Sequence, residues 1–219
     1  MCKTLCFVPA ILLAVVLSSC GDSTTGPTPA EGDWLPLAVG NWWSSDLNGW
    51  YITYTDADTV LMTGTTDQRI ESLQDHQGGF QVYEVVTYTD LILTHPDTVL
   101  VMMDTTSTYL RNTGDEMRSY DDTVSEDYEL LARFPLTLLE SWNPWPDSTQ
   151  YRTEVASLSA SVTVPAGTFD DCAILRDLDT GEPTYQRDLY LHKGTGMVRD
   201  LVDSDELHVD VQLHASNVQ

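Results

Sequence analysis

The sequence predicts an all-β protein, a curled antiparallel meander of about ten to twelve strands forming a half-barrel or an irregular barrel. Three observations point there. Val, Thr, Tyr, Ile and Trp recur in short runs, as they do on pleated, half-buried surfaces. Gly, Pro, Asn and Asp punctuate those runs about every eight to twelve residues. Beyond the apolar N-terminal run, no stretch of about a dozen residues carries a helical period. So long a sheet must twist and curl, so its apolar face lines a concave interior and Asp, Thr and Glu face outward.

In chain order, the first pair of strands is expected over Trp42 to Thr55, with Asn48-Gly49 as a two-residue type I′ turn followed by alternating Trp50, Ile52 and Tyr54. Later turns are expected at Asp56-Ala57-Asp58, Gln77-Gly78-Gly79, His95-Pro96-Asp97, Asn112-Thr113-Gly114-Asp115, Pro165-Ala166-Gly167, Asp179-Thr180-Gly181-Glu182-Pro183 and Lys193-Gly194-Thr195-Gly196. Two short echoes, Thr53-Tyr54-Thr55-Asp56 with Thr87-Tyr88-Thr89-Asp90 and Asp58-Thr59-Val60-Leu61 with Asp97-Thr98-Val99-Leu100, lie at unequal spacings. They reflect similar strand–turn chemistry rather than a solenoid repeat.

Residues 1–19 hold one basic group, Lys3, and an apolar run from Leu5 to Leu17 that is too short for a membrane span and reads as an export signal. The run ends in Leu17-Ser18-Ser19-Cys20, which resembles the lipobox of bacterial lipoproteins. The resemblance implies cleavage before Cys20, acylation of its thiol and a membrane anchor that does not span the bilayer, worth roughly 0.8 kcal/mol per buried methylene. Residues 20–33, rich in Gly, Pro and Thr, form a flexible tether, and 34–219 form a single all-β domain. In Gram-negative lipoproteins an aspartate directly after the cysteine favours the inner membrane. Gly21 stands there, so the outer membrane, on its periplasmic or surface side, is expected instead.

A formal net charge of -24 repels phosphates and argues against nucleic-acid partners. With Cys2 and Cys6 in the signal and Cys20 committed to lipid, Cys172 is alone and no internal disulfide can form.

Leu35-Pro36-Leu37-Ala38-Val39-Gly40-Asn41-Trp42, Val162-Thr163-Val164-Pro165-Ala166-Gly167-Thr168-Phe169 with Cys172, and Lys193-Gly194-Thr195-Gly196-Met197-Val198 together resemble a group of uncharacterised bacterial lipoproteins with PL-x-x-G-x-x-W and VPAGTF-x-x-C motifs. Phe134-Pro135-Leu136 with Trp142 is similar to a further element of that group, although Glu140 stands where a glycine is common. The resemblance implies kinship with the curled-sheet periplasmic carriers that shelter acyl chains in a concave face. It supplies no catalytic residues and no cofactor.

Cys172 is flanked by Asp170 and Asp171, which oppose a thiolate, and shares a strand face with Ile174, so it reads as a core residue. His208, Asp210, Gln212 and His214 share one strand face and read as solvent-facing; His208 and His214 are about 20 Å apart, too far for one ion. Asp177 to Glu182 starts like a calcium loop but lacks the distant glutamate, and is expected to be a turn. No catalytic or metal residue is assigned. Trp42, Trp50, Trp142 and Trp145 are the candidates to line an apolar cavity, against the preferred reading that they fill the core where the sheet curls.

The functional expectation is a membrane-anchored, non-catalytic envelope lipoprotein that binds an apolar or lipid-like ligand on its concave face. The alternative is a structural or assembly component of an envelope complex, with envelope proteins as partners, acting through its acidic surface.

Overall fold

The computed structural model of the protein describes residues 33–53, 57–146, 148–182 and 184–219. Twelve antiparallel strands form one sheet: β1 (Trp42–Ile52), β2 (Thr59–His76), β3 (Phe80–His95), β4 (Thr98–Asn112), β5 (Glu116–Tyr120), β6 (Glu129–Arg133), β7 (Ser141–Trp142), β8 (Tyr151–Val164), β9 (Gly167–Asp179), β10 (Gln186–His192), β11 (Gly196–Asp203) and β12 (Leu207–Asn217). Their order is β6-β5-β4-β3-β2-β1-β12-β11-β10-β9-β8-β7. The chain thus meanders outward from β1 to one edge, crosses to the other edge, and meanders back until β12 pairs with β1.

The crossover lies between β6 and β7, which follow one another in the chain yet sit at opposite edges of the sheet. That is possible only because the sheet curls until its edges approach. The Leu130 N–H on β6 donates to Pro144 O just beyond β7 at 2.6 Å, and Trp142 Nε1–H donates to Leu130 O at 2.9 Å. Among the described residues no ladder joins β6 to β7, so the sheet is the expected curled antiparallel meander, left open and not closed into a barrel.

Asn48-Gly49 is not a turn. β1 runs straight through it, with Asn48 opposite Thr63 and Gly49 opposite Met62 on one side, and Asp210 and Val209 on the other. Glycine is needed there for close strand approach: a Cβ at Gly49 would lie 2.2 Å from the His208 carbonyl oxygen. The β1–β2 connection instead spans 53–58, of which 54–56 are outside the described residues. The other expected turns fall at or between strand ends, except for Asp56 and Pro183, which lie outside the described residues, and a further turn at Ser204, where the Ser204 N–H donates to Leu207 O, joins β11 to β12.

The core sits on the concave face and toward one end, where Trp43, Ile70, Val85, Met117, Leu130, Trp142, Val155, Leu175, Leu191 and Leu213 are buried together. The segment 34–41 caps that end: Gly194 N–H donates to Asp33 O, Lys193 lies over the Trp34 ring, and Asn41 Nδ2 donates to Pro36 O. The tip of the β8–β9 hairpin bends across to β12, Ala166 N–H donating to Leu213 O at 2.9 Å.

Candidate functional site

Directly opposed residues in an antiparallel ladder share a face. Trp43 opposes Gln68, placing both on the concave side, whereas Trp42 opposes Arg69 on the convex side. The concave side is not filled by side chains. It holds a cavity of about 260 Å³ whose apolar wall includes Leu35 and Leu37 from the capping segment, Trp43, Ile70 and Val85 from β1 to β3, and Leu175 and Leu189 from β9 and β10. Beside it, at the capped end, a wider cleft of about 640 Å³ opens between Asp33, Trp34, Phe134, Leu136, Leu158 and Lys193.

Gln68, Thr87, Thr108 and Ser119 add neutral polar groups to the lining, and its two ionisable residues, Glu129 and Arg187, make a charged pole. Arg187 is already engaged: Nε and one terminal nitrogen donate to the two carboxylate oxygens of Asp200 at 2.9 and 2.8 Å, and the other terminal nitrogen is 3.7 Å from Asp177. Burial opposes its charge, but the Asp200 hydrogen bond and the charges of Asp200 and Asp177 outweigh it and raise its pKa. Burial pushes the Glu129 carboxyl up, partly countered by Arg187. Burial likewise raises Asp177, against the hydrogen bond from Thr153. Three carboxyls thus surround one occupied guanidinium. Such a pole suits a hydrogen-bond donor or a cation, and disfavours a further carboxylate.

The tryptophans separate. Trp142 is buried, 4% exposed, and its indole ties the two sheet edges together. Trp50 stacks on His208 with ring centroids 6.2 Å apart, Trp42 lies in a groove with Asp67 and Arg69, and Trp145 is 41% exposed and edge-on to Tyr151. Trp43, not singled out above, is the tryptophan in the wall of the concave cavity. The alternation Trp43-Ser45-Leu47 against Trp42-Ser44-Asp46 carries that signal. Nothing in the sequence brings Glu129 to Arg187: β6 and β10 are far apart in the sheet order, and only the curl of the sheet brings both to one cavity.

The other candidates resolve into structural chemistry. Cys172 is fully buried and its Sγ lies 3.6 Å from Phe169 O; burial, with Asp170 and Asp171, raises its pKa. His208 and His214 go to different carboxylates, Asp203 at 3.3 Å and Asp46 at 3.5 Å. Asp210 is half-buried rather than solvent-facing, held by Arg199 at 2.8 Å through both oxygens. Asp179 Oδ1 accepts from the Gly181 and Glu182 N–H groups, so the acidic loop is a turn. Among the described residues no group of three or more His, Cys, Asp or Glu side chains is placed to hold a metal ion. Cys20 lies outside the described residues.

Fold and site define an open, curled all-β sheet with a small concave cavity. No family model and no curated protein matches the chain. Two crystal structures align with 85% of it. One is a predicted lipoprotein from Parabacteroides distasonis, 14% identical, matched over 99% of its own chain at a TM-score of 0.41. The other is a predicted exported protein with a YmcC-like fold from Bacteroides fragilis, 12% identical, matched over 99% of its chain at a TM-score of 0.34.

Proposed function

We propose that the chain is a membrane-anchored envelope lipoprotein that binds rather than catalyses, holding a small apolar or amphiphilic molecule in the concave cavity. The observation that supports this is the unfilled apolar cavity beside Trp43, Ile70 and Val85. Its volume, about 260 Å³, is just under the range of about 300–1,000 Å³ usual for small-molecule sites, so it suits one short chain rather than a whole phospholipid. The pole of Glu129, Asp177, Asp200 and Arg187 selects an uncharged or amine head group over a carboxylate.

The anchor rests on Leu17-Ser18-Ser19-Cys20. The tether would lead from it to Asp33, on the rim of the cleft beside the cavity. Acylation at Cys20 with Gly21 behind it favours the outer membrane.

The test is displacement of a neutral apolar dye from the mature protein by octylamine, octanol and octanoate. Octylamine and octanol should compete at least tenfold better than octanoate, and Val85→Trp, which fills the cavity, should abolish dye uptake. Uptake that survives Val85→Trp would defeat the reading. The anchor is tested separately: Cys20→Ala should move the protein from the membrane to the soluble fraction, and unchanged fractionation defeats that part.

A further inference from the structure

β4 is two different strands in one. Its last residues, Tyr109 to Asn112, pair with β5, but on that side residues 98–108 have no ladder among the described residues. Along this bare edge lie Val99, Leu100, Val101, Met102 and Met103, exposed by 61%, 55%, 71%, 47% and 81%. Residues 98–103 hold no charge, proline or glycine. Natural edge strands are usually blunted by Lys, Pro, a bulge or a covering loop, because a long apolar edge is a template for another strand. Among the described residues the stretch 98–103 has none of these, and side chains on both of its faces are apolar.

We infer that β4 is a homodimer edge, pairing antiparallel with β4 of a second copy of this chain about a two-fold axis at Val101. The self-complementarity of the segment selects that occupant. A one-residue slip would oppose side chains from different faces, so only registers two residues apart compete. With the axis at Val101, Val99 opposes Met103, Leu100 opposes Met102 and Val101 opposes itself. The two flanking aspartates, Asp97 and Asp104, then oppose Thr105 and Thr98. With the axis at Leu100, Asp97 falls opposite Met103; with it at Met102, Asp104 falls opposite Leu100. One register alone pairs all five apolar residues with one another and sets no carboxylate against an apolar side chain or another carboxylate. The result is a continuous sheet through both copies, formed at the exposed apolar stretch between Asp97 and Asp104.

The experiment is disulfide trapping in the full chain. Opposed residues at a two-fold have Cα atoms about 4.5–5.5 Å apart, within disulfide reach. Val101→Cys should therefore oxidise to a dimer of twice the chain mass, and the buried native Cys172 should not compete. Leu61→Cys is the control: 52% exposed, it is two strands inboard, about 24 Å from its copy at about 4.8 Å per strand. Membranes from cells making the full chain are oxidised, and the purified full chain is sedimented in a mild detergent. Val101→Cys should cross-link at least tenfold more than Leu61→Cys, and Val101→Lys should raise the dimer dissociation constant at least tenfold while leaving the fold intact by circular dichroism. Equal cross-linking at the two sites overturns the proposal. So does a heterologous cross-link at position 101 without a homodimer, or a monomer whose edge binds phospholipid vesicles instead.

Discussion

Replacing Trp142 with Phe isolates the contact that brings the two edges of the sheet together. The indole N–H donates at 2.9 Å to Leu130 O across those edges, and both residues are buried, at 4% exposure each. Phe keeps most of the ring but cannot donate, so a buried carbonyl loses its partner at a cost of about 1–3 kcal/mol. The smaller ring leaves roughly 40 Å³, which at about 24 cal/mol per Å³ adds roughly 1 kcal/mol. The sum, about 2–4 kcal/mol, corresponds to a fall in Tm of roughly 4–16 °C for a domain of this size. Urea unfolding followed by circular dichroism measures the first quantity and a thermal scan the second. Trp145→Phe, at an edge-on contact 41% exposed, is the matched control and should cost less than about 0.5 kcal/mol. Equal losses for the two variants, or less than about 0.5 kcal/mol for Trp142→Phe, would refute the edge-joining role.

Gly49→Ala should cost about 1–3 kcal/mol in the same urea assay, because the new Cβ meets the His208 carbonyl, while Asn48→Ala, exposed in mid-strand, should cost less than about 0.5; a tight turn at these positions would make both matter. Glu129→Gln should stabilise the protein at neutral pH: a carboxyl whose pKa is higher folded than unfolded costs stability above the folded value and nothing below the unfolded one. That gain should therefore vanish as the pH falls below the ordinary glutamate range, and a gain independent of pH would contradict the burial cause. Cys172 should resist iodoacetamide until the protein unfolds, and Cys172→Ser should cost about 1–3 kcal/mol, more than Cys172→Ala, by burying a hydroxyl; rapid alkylation of the native protein would count against the core assignment.

The strand content and most turns were legible because their signals are local. Gln77-Gly78-Gly79, Asn112 to Asp115 and Lys193 to Gly196 bend the chain by their own chemistry, and Gly79, Gly114, Gly194 and Gly196 all have positive φ. Asn48-Gly49 carries the same local signal and was misleading because a glycine can answer two needs. Here the need is lack of a side chain beneath the β12 backbone, a contact made by residues far away in the chain. The site divides along the same line. The side of Trp43 is written in the alternation of its neighbours, whereas the pairing of Glu129 with Arg187 exists only because β6 and β10 curl toward one cavity. The edge exposed on β4 was hidden for a related reason: its apolar run reads like any strand, and only the shortness of β5 leaves it bare.

Charge then decides where this surface can meet another. Of the ten Lys and Arg, Lys3 lies outside the described residues. Each of the other nine is engaged. Arg118 and Arg133 go to Glu116, Arg152 to Glu154, Arg176 to Asp188, Arg187 to Asp200 and Arg199 to Asp210. Arg69, Arg111 and Lys193 lie over the rings of Tyr88, Phe80 and Trp34. Most of these cations therefore tie neighbouring strands together, Arg118 and Arg152 pair within their own strands, and many of the surplus carboxylates face water. Two such surfaces repel each other wherever charges come within about a Debye length, roughly 8–10 Å at physiological salt. Close approach is least opposed where charge is missing, and on the bare side of β4 residues 98–103 join that lack of charge to exposed apolar side chains. The acidity that keeps the rest of the surface apart thus directs self-association to one edge, in the one register that spares its flanking aspartates.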